Sequence, residues 1–262
     1  MSEMVFGEVL KNEMLIDDVY DLYIKAPQAV SKAQAGQFLS VYTGDSAMLL
    51  PRPLSICGID VVRGVFRVVY RVMGAGTREI AQFKAGDELK ILAPLGSHYR
   101  IEPEHTKFAV CGGGMGVPPM LALVKKIRNQ VPNAHISVFL GFRNYSQVML
   151  LDDFDKFANE LFVFTDDGTC GIKGNIIYGL KSLENPEFDT IFGCGPHGML
   201  KALAKFASDK GMPCHVSIEE RMACSVGACL ACVCKVHEGG GVAYKRVCSQ
   251  GPVFDAKELV WE

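Results

Sequence analysis

The sequence has almost no net charge: 27 Lys and Arg stand against 29 Asp and Glu in 262 residues. Without a basic surplus nothing is available to hold a phosphodiester backbone, so nucleic acid is not an expected partner. A long apolar run is also missing. The longest uncharged stretch, Phe108 to Val124, is broken by four glycines and two prolines and falls short of a membrane-spanning helix. The opening residues, MSEMVFGEVL, have no basic segment leading into an apolar one. No secretory leader is read there, and the expectation is a cytoplasmic protein with no membrane partner. Repeats and low-complexity tracts are absent apart from the Gly239-Gly240-Gly241 turn, and tryptophan occurs once, at Trp261.

Cysteine, by contrast, is plentiful, with ten in the chain. In a reducing compartment these are thiols or metal ligands rather than a disulfide framework. Cys57, Cys111, Cys170 and Cys194 are scattered, whereas Cys214, Cys224, Cys229, Cys232, Cys234 and Cys248 crowd the C-terminal part.

The hydrophobic rhythm changes along the chain. Asp18–Ile24, Gln37–Tyr42, Val65–Val72 and Glu88–Leu92 read as strands bounded by Gly, Pro or Asp, the pattern of an antiparallel barrel or sandwich. One short helix is expected over Thr77–Phe83. From about residue 101, strand candidates Lys107–Cys111, Ile136–Gly141, Leu161–Thr165 and Thr190–Phe192 alternate with helical segments Pro118–Asn129, Val148–Phe157, Asn175–Leu183 and His197–Lys210. Such alternation implies a parallel sheet wrapped by helices. The remaining residues are loop-rich and too few for a large core, which a bound metal would help to fold.

Four segments carry chemistry. Cys224-x4-Cys229-x2-Cys232, with Cys248 further on, has the plant-type spacing of a [2Fe–2S] cluster. Its loop, CSVGACLAC, is built of small residues that let backbone N–H groups approach sulfur. Structural zinc is the alternative for four cysteines. Cys234 and Cys214 have the wrong offsets and read as spare thiols. Gly112, Gly113, Gly114 and Gly116 lie between an apolar strand and a helix, where a backbone can meet a pyrophosphate at a helix start; a purely structural turn is the other reading. Cys194-Gly195-Pro196 ends another strand, where ligands of parallel sheets collect, although a free cysteine is often only a small buried apolar group. In the strand-rich half, Arg52-Pro53-Leu54-Ser55 and Gly74-Ala75-Gly76-Thr77 pair a guanidinium and a hydroxyl with a glycine turn suited to an anion, or Arg52 is simply a solvated strand residue.

In this order the motifs resemble the ferredoxin–NADP reductase superfamily. The flavin motif corresponds to Arg52-Pro53-Leu54-Ser55, the second diphosphate seat to Gly74-Ala75-Gly76-Thr77, and the barrel closure to Gly86-Asp87-Glu88-Leu89 through Pro94-Leu95-Gly96. The cysteine tail with Lys245-Arg246-Val247-Cys248 and Gly251-Pro252-Val253-Phe254 is similar to the electron-transfer subunits of class B, NAD-dependent dihydroorotate dehydrogenase. The resemblance implies a multidomain fold. An antiparallel β-barrel FAD domain (1–100) is followed by an α/β parallel-sheet NAD domain (101–211) and a small C-terminal [2Fe–2S] domain (212–262).

It also implies FAD as the flavin and NAD as co-substrate. Ser55 would touch the flavin edge and Cys194 would lie near the nicotinamide, neither as a covalent catalyst. Tyr70 is the candidate flavin-side aromatic. Asp166 and Asp167 would repel a 2′-phosphate, while Arg143 could attract one. The implied partner is an FMN-containing dihydroorotate dehydrogenase catalytic subunit in a heterotetramer of two of each chain. Two other readings stay open: an NAD(P)H reductase subunit of another ferredoxin- or sulfur-linked complex, and a zinc-stabilised nucleotide-binding regulator.

Overall fold

Side chains that alternate in and out along six strands close the first part of the chain into a barrel. The strands are β1 (Glu3–Ile16), β2 (Val19–Lys25), β3 (Phe38–Tyr42), β4 (Arg52–Asp60), β5 (Val65–Arg71) and β6 (Glu88–Leu95). They join in the order β1-β2-β5-β4-β3-β6, and every pairing is antiparallel. Closure leaves no strand edge exposed to other chains. Val9, Leu22, Ile24, Leu39, Val41, Ile56, Phe66, Val68, Leu89 and Ile91 fill the interior. Two short helices, α1 (Pro27–Val30) and α2 (Ala75–Ile80), interrupt the strands. On the wall, Asp21 accepts two bonds from Arg67, Nε at 2.8 Å and Nη2 at 3.0 Å, a bidentate charge-assisted pair.

This computed structural model describes residues 2–44, 48–184 and 186–261 and divides into two units. One gathers residues up to His98 with Glu219–Cys234 and Lys245–Pro252. The other gathers Tyr99–Ile218, Lys235–Tyr244 and the residues from Val253 onward.

The second unit is built on β7 (Lys107–Gly113), β8 (His135–Phe142), β9 (Glu160–Thr165), β10 (Ile172–Lys173), β11 (Thr190–Cys194) and β12 (Cys214–Ser217). Its helices are α3 (Val117–Gln130), α4 (Leu151–Asp155), α5 (Ile176–Ser182) and α6 (His197–Asp209). The ribbon strands β13 (Val233–Glu238) and β14 (Gly241–Arg246) follow, then α7 (Val247–Gln250) and β15 (Val253–Asp255). The sheet order is β10-β9-β8-β7-β11-β12-β15, parallel throughout except for β15 against β12. The middle strands β7 and β8 are almost continuously buried, as a sheet covered on both faces requires. Helix α6 buries Leu200, Leu203, Ala204 and Ala207 at helical spacing.

Two elements depart from the sequence reading. The helix expected over Val148–Phe157 is only Leu151–Asp155, because Leu150 takes φ 63 and cannot join the first turn. The C-terminal residues are not only loop, since β12 and β15 extend the parallel sheet. Among the described residues no helix is long and apolar enough to cross a membrane.

Candidate functional site: two glycine seats and a cysteine loop

In the barrel unit Arg52 opens β4, and its guanidinium lies against Gly76 of α2. A Cβ on residue 76 would stand 1.9 Å from Arg52 Nε and 2.2 Å from Cζ, so any side chain there would push the guanidinium out of this place. The guanidinium is aimed by donation to the Leu50 carbonyl and to Met48 Sδ at 3.4 Å. Thr77 Oγ1 accepts the N–H groups of Met73 at 2.8 Å and Gly74 at 3.1 Å and folds the turn that carries both glycines. The space beside Gly74 is open. Next to Arg52, Pro53 and Leu54 pair with Ser40 and Leu39 of β3, and Ser55 follows with its side chain exposed. Arg52, Ser55, Gly74, Gly76 and Thr77 are thus placed by adjoining elements of one barrel.

Tyr70 is placed differently from the sequence expectation. It is 2% exposed, its ring stacks on Tyr20 at 5.8 Å, and its hydroxyl donates to Asn12 Oδ1 at 3.1 Å. Asn12 in turn donates to the carbonyls of Ile80 and Phe83. Burial raises the phenol pKa. The ring is a core group that ties β5 to α2, with no face open to a ligand.

In the sheet unit the strand order turns back between β7 and β11, the place where open α/β sheets bind ligands beyond their carboxyl ends. Cys194 lies in register with Gly112 across that pair. A Cβ on Gly116 would meet the Cys194 carbonyl carbon at 2.3 Å and Gly195 N at 2.5 Å, and one on Gly113 would meet Pro196 Cδ at 3.0 Å. The two motifs therefore form one double turn, backbone against backbone, with Gly114 at φ 52 and Gly195 at φ 155.

The anion seat differs from the sequence reading in one respect. Val117 opens α3, so Pro118 and Pro119 occupy its second and third positions and remove two of the N–H groups that such a seat uses. Helix α6 is the better donor end. It starts at His197 directly after Pro196, and its first turn is free of proline. Pro118 and Pro119, directly after the glycine run, are the signal in the sequence. Trp261 lies 5.5 Å from the His197 ring, centroid to centroid, and its Nε1 donates to the Ala256 carbonyl at 2.9 Å.

At the ends of β8 and β9, Asp166 N–H donates to the Phe142 carbonyl at 3.1 Å and Asp167 N–H to that of Arg143 at 3.4 Å. The Asp167 carboxylate accepts Thr169 O–H and N–H, which hold its pKa below the usual value. Asp166 and Arg143 are exposed. Cys111 and Cys214 are buried thiols, raised by desolvation, Cys214 to about 12.

The cysteine loop belongs to the barrel unit, and Ser97 N–H of the barrel segment donates to the Gly251 carbonyl just after Cys248. Four thiols form two pairs. Cys229 donates to Cys224, and Cys248 donates to Cys232. Backbone amides converge on them: Ala228 N and Cys229 N on Cys224 Sγ at 3.3 and 3.4 Å, Gly227 N on Cys248 Sγ at 3.1 Å, and Cys248 N on Cys232 Sγ at 3.4 Å. Left-handed backbone at Ser225, Gly227 and Leu230 curls the loop. Burial would raise the Cys224 thiol, but the amides of Val226, Cys229 and Ala228 and the Cys229 thiol outweigh it and bring the pKa to about 6. Burial and the neighbouring Cys232 push Cys248 to about 12. Cys234 belongs to neither pair and is raised by burial and by Glu220.

Two pairs suit two metal ions that share bridging atoms, with two protein ligands each. A single tetrahedral ion needs its ligands to converge on one point. The amides of Gly227, Ala228, Cys229 and Cys248, all aimed at sulfur, are the donors that an anionic iron–sulfur group draws on. The donor set therefore fits a [2Fe–2S] cluster better than zinc.

Comparison with known proteins agrees with this geometry. Residues 219–260 match the iron–sulfur cluster binding domain of dihydroorotate dehydrogenase B. The chain is 39% identical over 255 residues to the dihydroorotate dehydrogenase B (NAD(+)) electron transfer subunit of Geobacillus kaustophilus, covering 96% of each chain. It is 34% identical to that of Desulforamulus reducens over the whole of both chains. Among solved structures, the NADH-dependent reduced ferredoxin-NADP oxidoreductase superposes with TM-score 0.85 at 28% identity, covering 100% of this chain and 92% of that one. Phthalate dioxygenase reductase shares the fold at TM-score 0.64 and 14% identity, covering 94% of each chain. With full-length identity at this level and the cluster domain matched, the chain belongs to the family of dihydroorotate dehydrogenase B electron transfer subunits.

Proposed function

We propose that the chain is the NAD-linked electron-transfer flavoprotein of a two-component dihydroorotate dehydrogenase, acting in pyrimidine biosynthesis in the cytoplasm. Its partner is an FMN-containing catalytic subunit, and the assembly holds two of each chain. The observation that carries the reading is the pairing of Cys224 with Cys229 and of Cys232 with Cys248, in the same unit as the Arg52–Gly76 seat. When bound, FAD supplies the exchange between the two-electron chemistry of a nicotinamide and the one-electron chemistry of an iron–sulfur cluster.

The residues have distinct tasks. Arg52 donates to the flavin diphosphate beside the Gly74–Thr77 turn, and Ser55 hydrogen-bonds the flavin edge. The double turn of Gly112–Gly116 and Cys194–Pro196 shapes the NAD seat, with the first turn of α6 facing its phosphates. Cys194 stands by the nicotinamide as a lining group, not a nucleophile. Asp166 disfavours a 2′-phosphate and so selects NAD. The four paired cysteines bind the cluster as thiolates, stabilised by the amides aimed at them. Val226 and Leu230 on the cluster loop are 52% and 59% exposed, apolar surface suited to a protein partner.

The test is division of labour. The isolated chain, loaded with FAD and its cluster, should oxidise NADH with an artificial acceptor and leave dihydroorotate untouched. Adding the FMN subunit should couple dihydroorotate to NAD reduction. Dihydroorotate oxidation by the chain alone would refute the assignment. The likeness to the NADH-dependent ferredoxin-NADP oxidoreductase keeps a second reading in view, a reductase subunit serving ferredoxin. Under that reading, reduced ferredoxin rather than dihydroorotate with the FMN subunit would drive NAD reduction.

A further inference from the structure

Ser225 is out of character with its surroundings. The cysteine loop is largely open to solvent, with Val226 52% exposed and Cys229 exposed, yet Ser225 is 1% exposed. Its backbone adopts φ 60, a left-handed conformation that L-residues other than Asn and Asp seldom take. Its hydroxyl oxygen is buried, and no group among the described residues accepts its proton. Glycine would remove both penalties, and glycine does occupy the left-handed position two residues on, at Gly227 with φ 82. Serine at 225 therefore carries a strained backbone and an unmade hydrogen bond together.

The chemistry of the loop indicates what would relieve the second penalty. Its other inward donors, the amides of Gly227, Ala228 and Cys229, are already aimed at thiol sulfur. Sulfur is the acceptor this loop is built to present. A buried hydroxyl next to Cys224 would meet the same acceptor type once the cysteines ligate iron with its inorganic sulfide.

We propose that Ser225 is a tuning residue whose O–H donates to a sulfur of the [2Fe–2S] cluster, the left-handed backbone serving to turn it inward. A proton donor on cluster sulfur withdraws charge, and the reduced cluster carries one more negative charge than the oxidised one. The bond therefore stabilises the reduced form and raises the reduction potential. The proposal rests on the cluster reading given above and adds a named determinant of its potential.

Ser225→Ala and Ser225→Gly test it in the full chain loaded with FAD and iron. The readouts are iron and sulfide content, the midpoint potential from an EPR-monitored titration, and the D2O-sensitive shift of the Fe–S stretching bands. Both variants should keep the cluster, titrate at lower potential, and lose part of the solvent-isotope shift of the parent. A shift in the reduction equilibrium of up to about tenfold corresponds to ~59 mV for one electron. Ser225→Gly relieves the backbone, so a purely conformational role predicts parental potential and isotope shift in that variant, and that result overturns the proposal. A Gly variant that folds and binds FAD but loses iron also overturns it, because a residue that only tunes the potential is not needed to hold the cluster. A parent chain without iron and sulfide would instead remove the cluster reading itself.

Discussion

A guanidinium that fills the place of a missing Cβ makes Arg52 and Gly76 one device: glycine at 76 lets the arginine stand where it does. Arg52→Ala should weaken FAD binding by about 1.5–3 kcal/mol, roughly 10- to 100-fold, through loss of a charge-assisted bond. Fluorescence titration of the apoprotein with FAD measures it, and unchanged affinity would return Arg52 to the class of solvated strand residues. A second prediction concerns the thiols. Serine at Cys224, Cys229, Cys232 or Cys248 should abolish the cluster's visible absorbance, whereas Cys234→Ser should retain it, since Cys234 lies outside both pairs. Iron retained in Cys248→Ser but lost from Cys234→Ser would reverse the ligand assignment. Ligand spacing was legible because it is a local constraint on one loop. The place of Tyr70 was not, because its hydroxyl is fixed by Asn12, 58 residues away, and nothing in the neighbourhood of residue 70 encodes that bond.

The elements of the nucleotide seat meet through backbone. Because a Cβ on residue 116 would lie 2.3 Å from the carbonyl carbon of Cys194, Gly116→Ala must push the two turns apart. The expected result is a KM for NADH raised about tenfold or more, consistent with a loss of over 1.4 kcal/mol, while flavin and iron content stay parental. A variant with parental KM would show that the seat lies elsewhere. At the other end of β7, Asp189 accepts the amides of Thr106 at 2.7 Å and Lys107 at 2.9 Å, and these bonds depress its pKa below 3.8. A depressed carboxylate stabilises the fold fully above the unfolded pKa and loses that contribution as pH falls through the folded value. Asp189 is half-buried and still reached by solvent, so the effect is at most ~1 kcal/mol after screening. Urea unfolding from pH 6 to pH 3 should show a shallower loss of stability in Asp189→Asn than in the parent; identical slopes would dismiss the linkage. The βα alternation of this sheet was legible because apolar strands and 3.6-period helices differ in rhythm. Strand β1 was not, since register shifts between Val9 and Lys11 and between Met14 and Ile16 break its alternation. Strands β12 and β15 were too short to stand out, and only their pairing makes them strands.

At the scale of the whole molecule, the chain does not finish one unit before starting the other. It changes unit after His98, Ile218, Cys234, Tyr244 and Pro252. The cysteine segment leaves the sheet at the end of β12 and returns at β15, where Ser217 pairs with Val253 and Val216 with Phe254. Ending the chain at Pro252 would remove β15 and with it Phe254, 4% exposed and worth ~1.5–3 kcal/mol of burial. Such a truncation should melt roughly 3–12 °C lower and shed iron more readily than flavin, as calorimetry and metal analysis would show. Equal iron retention would mean that the loop holds its own shape. That paired exit and entry has a consequence of another kind. Neighbouring strands lie ~4.8 Å apart, so the redox segment begins and ends at almost one point, like a stone in a ring setting. Its length can therefore change without re-routing the sheet strands it joins, while the bond of Ser97 to Gly251 ties it to its own barrel.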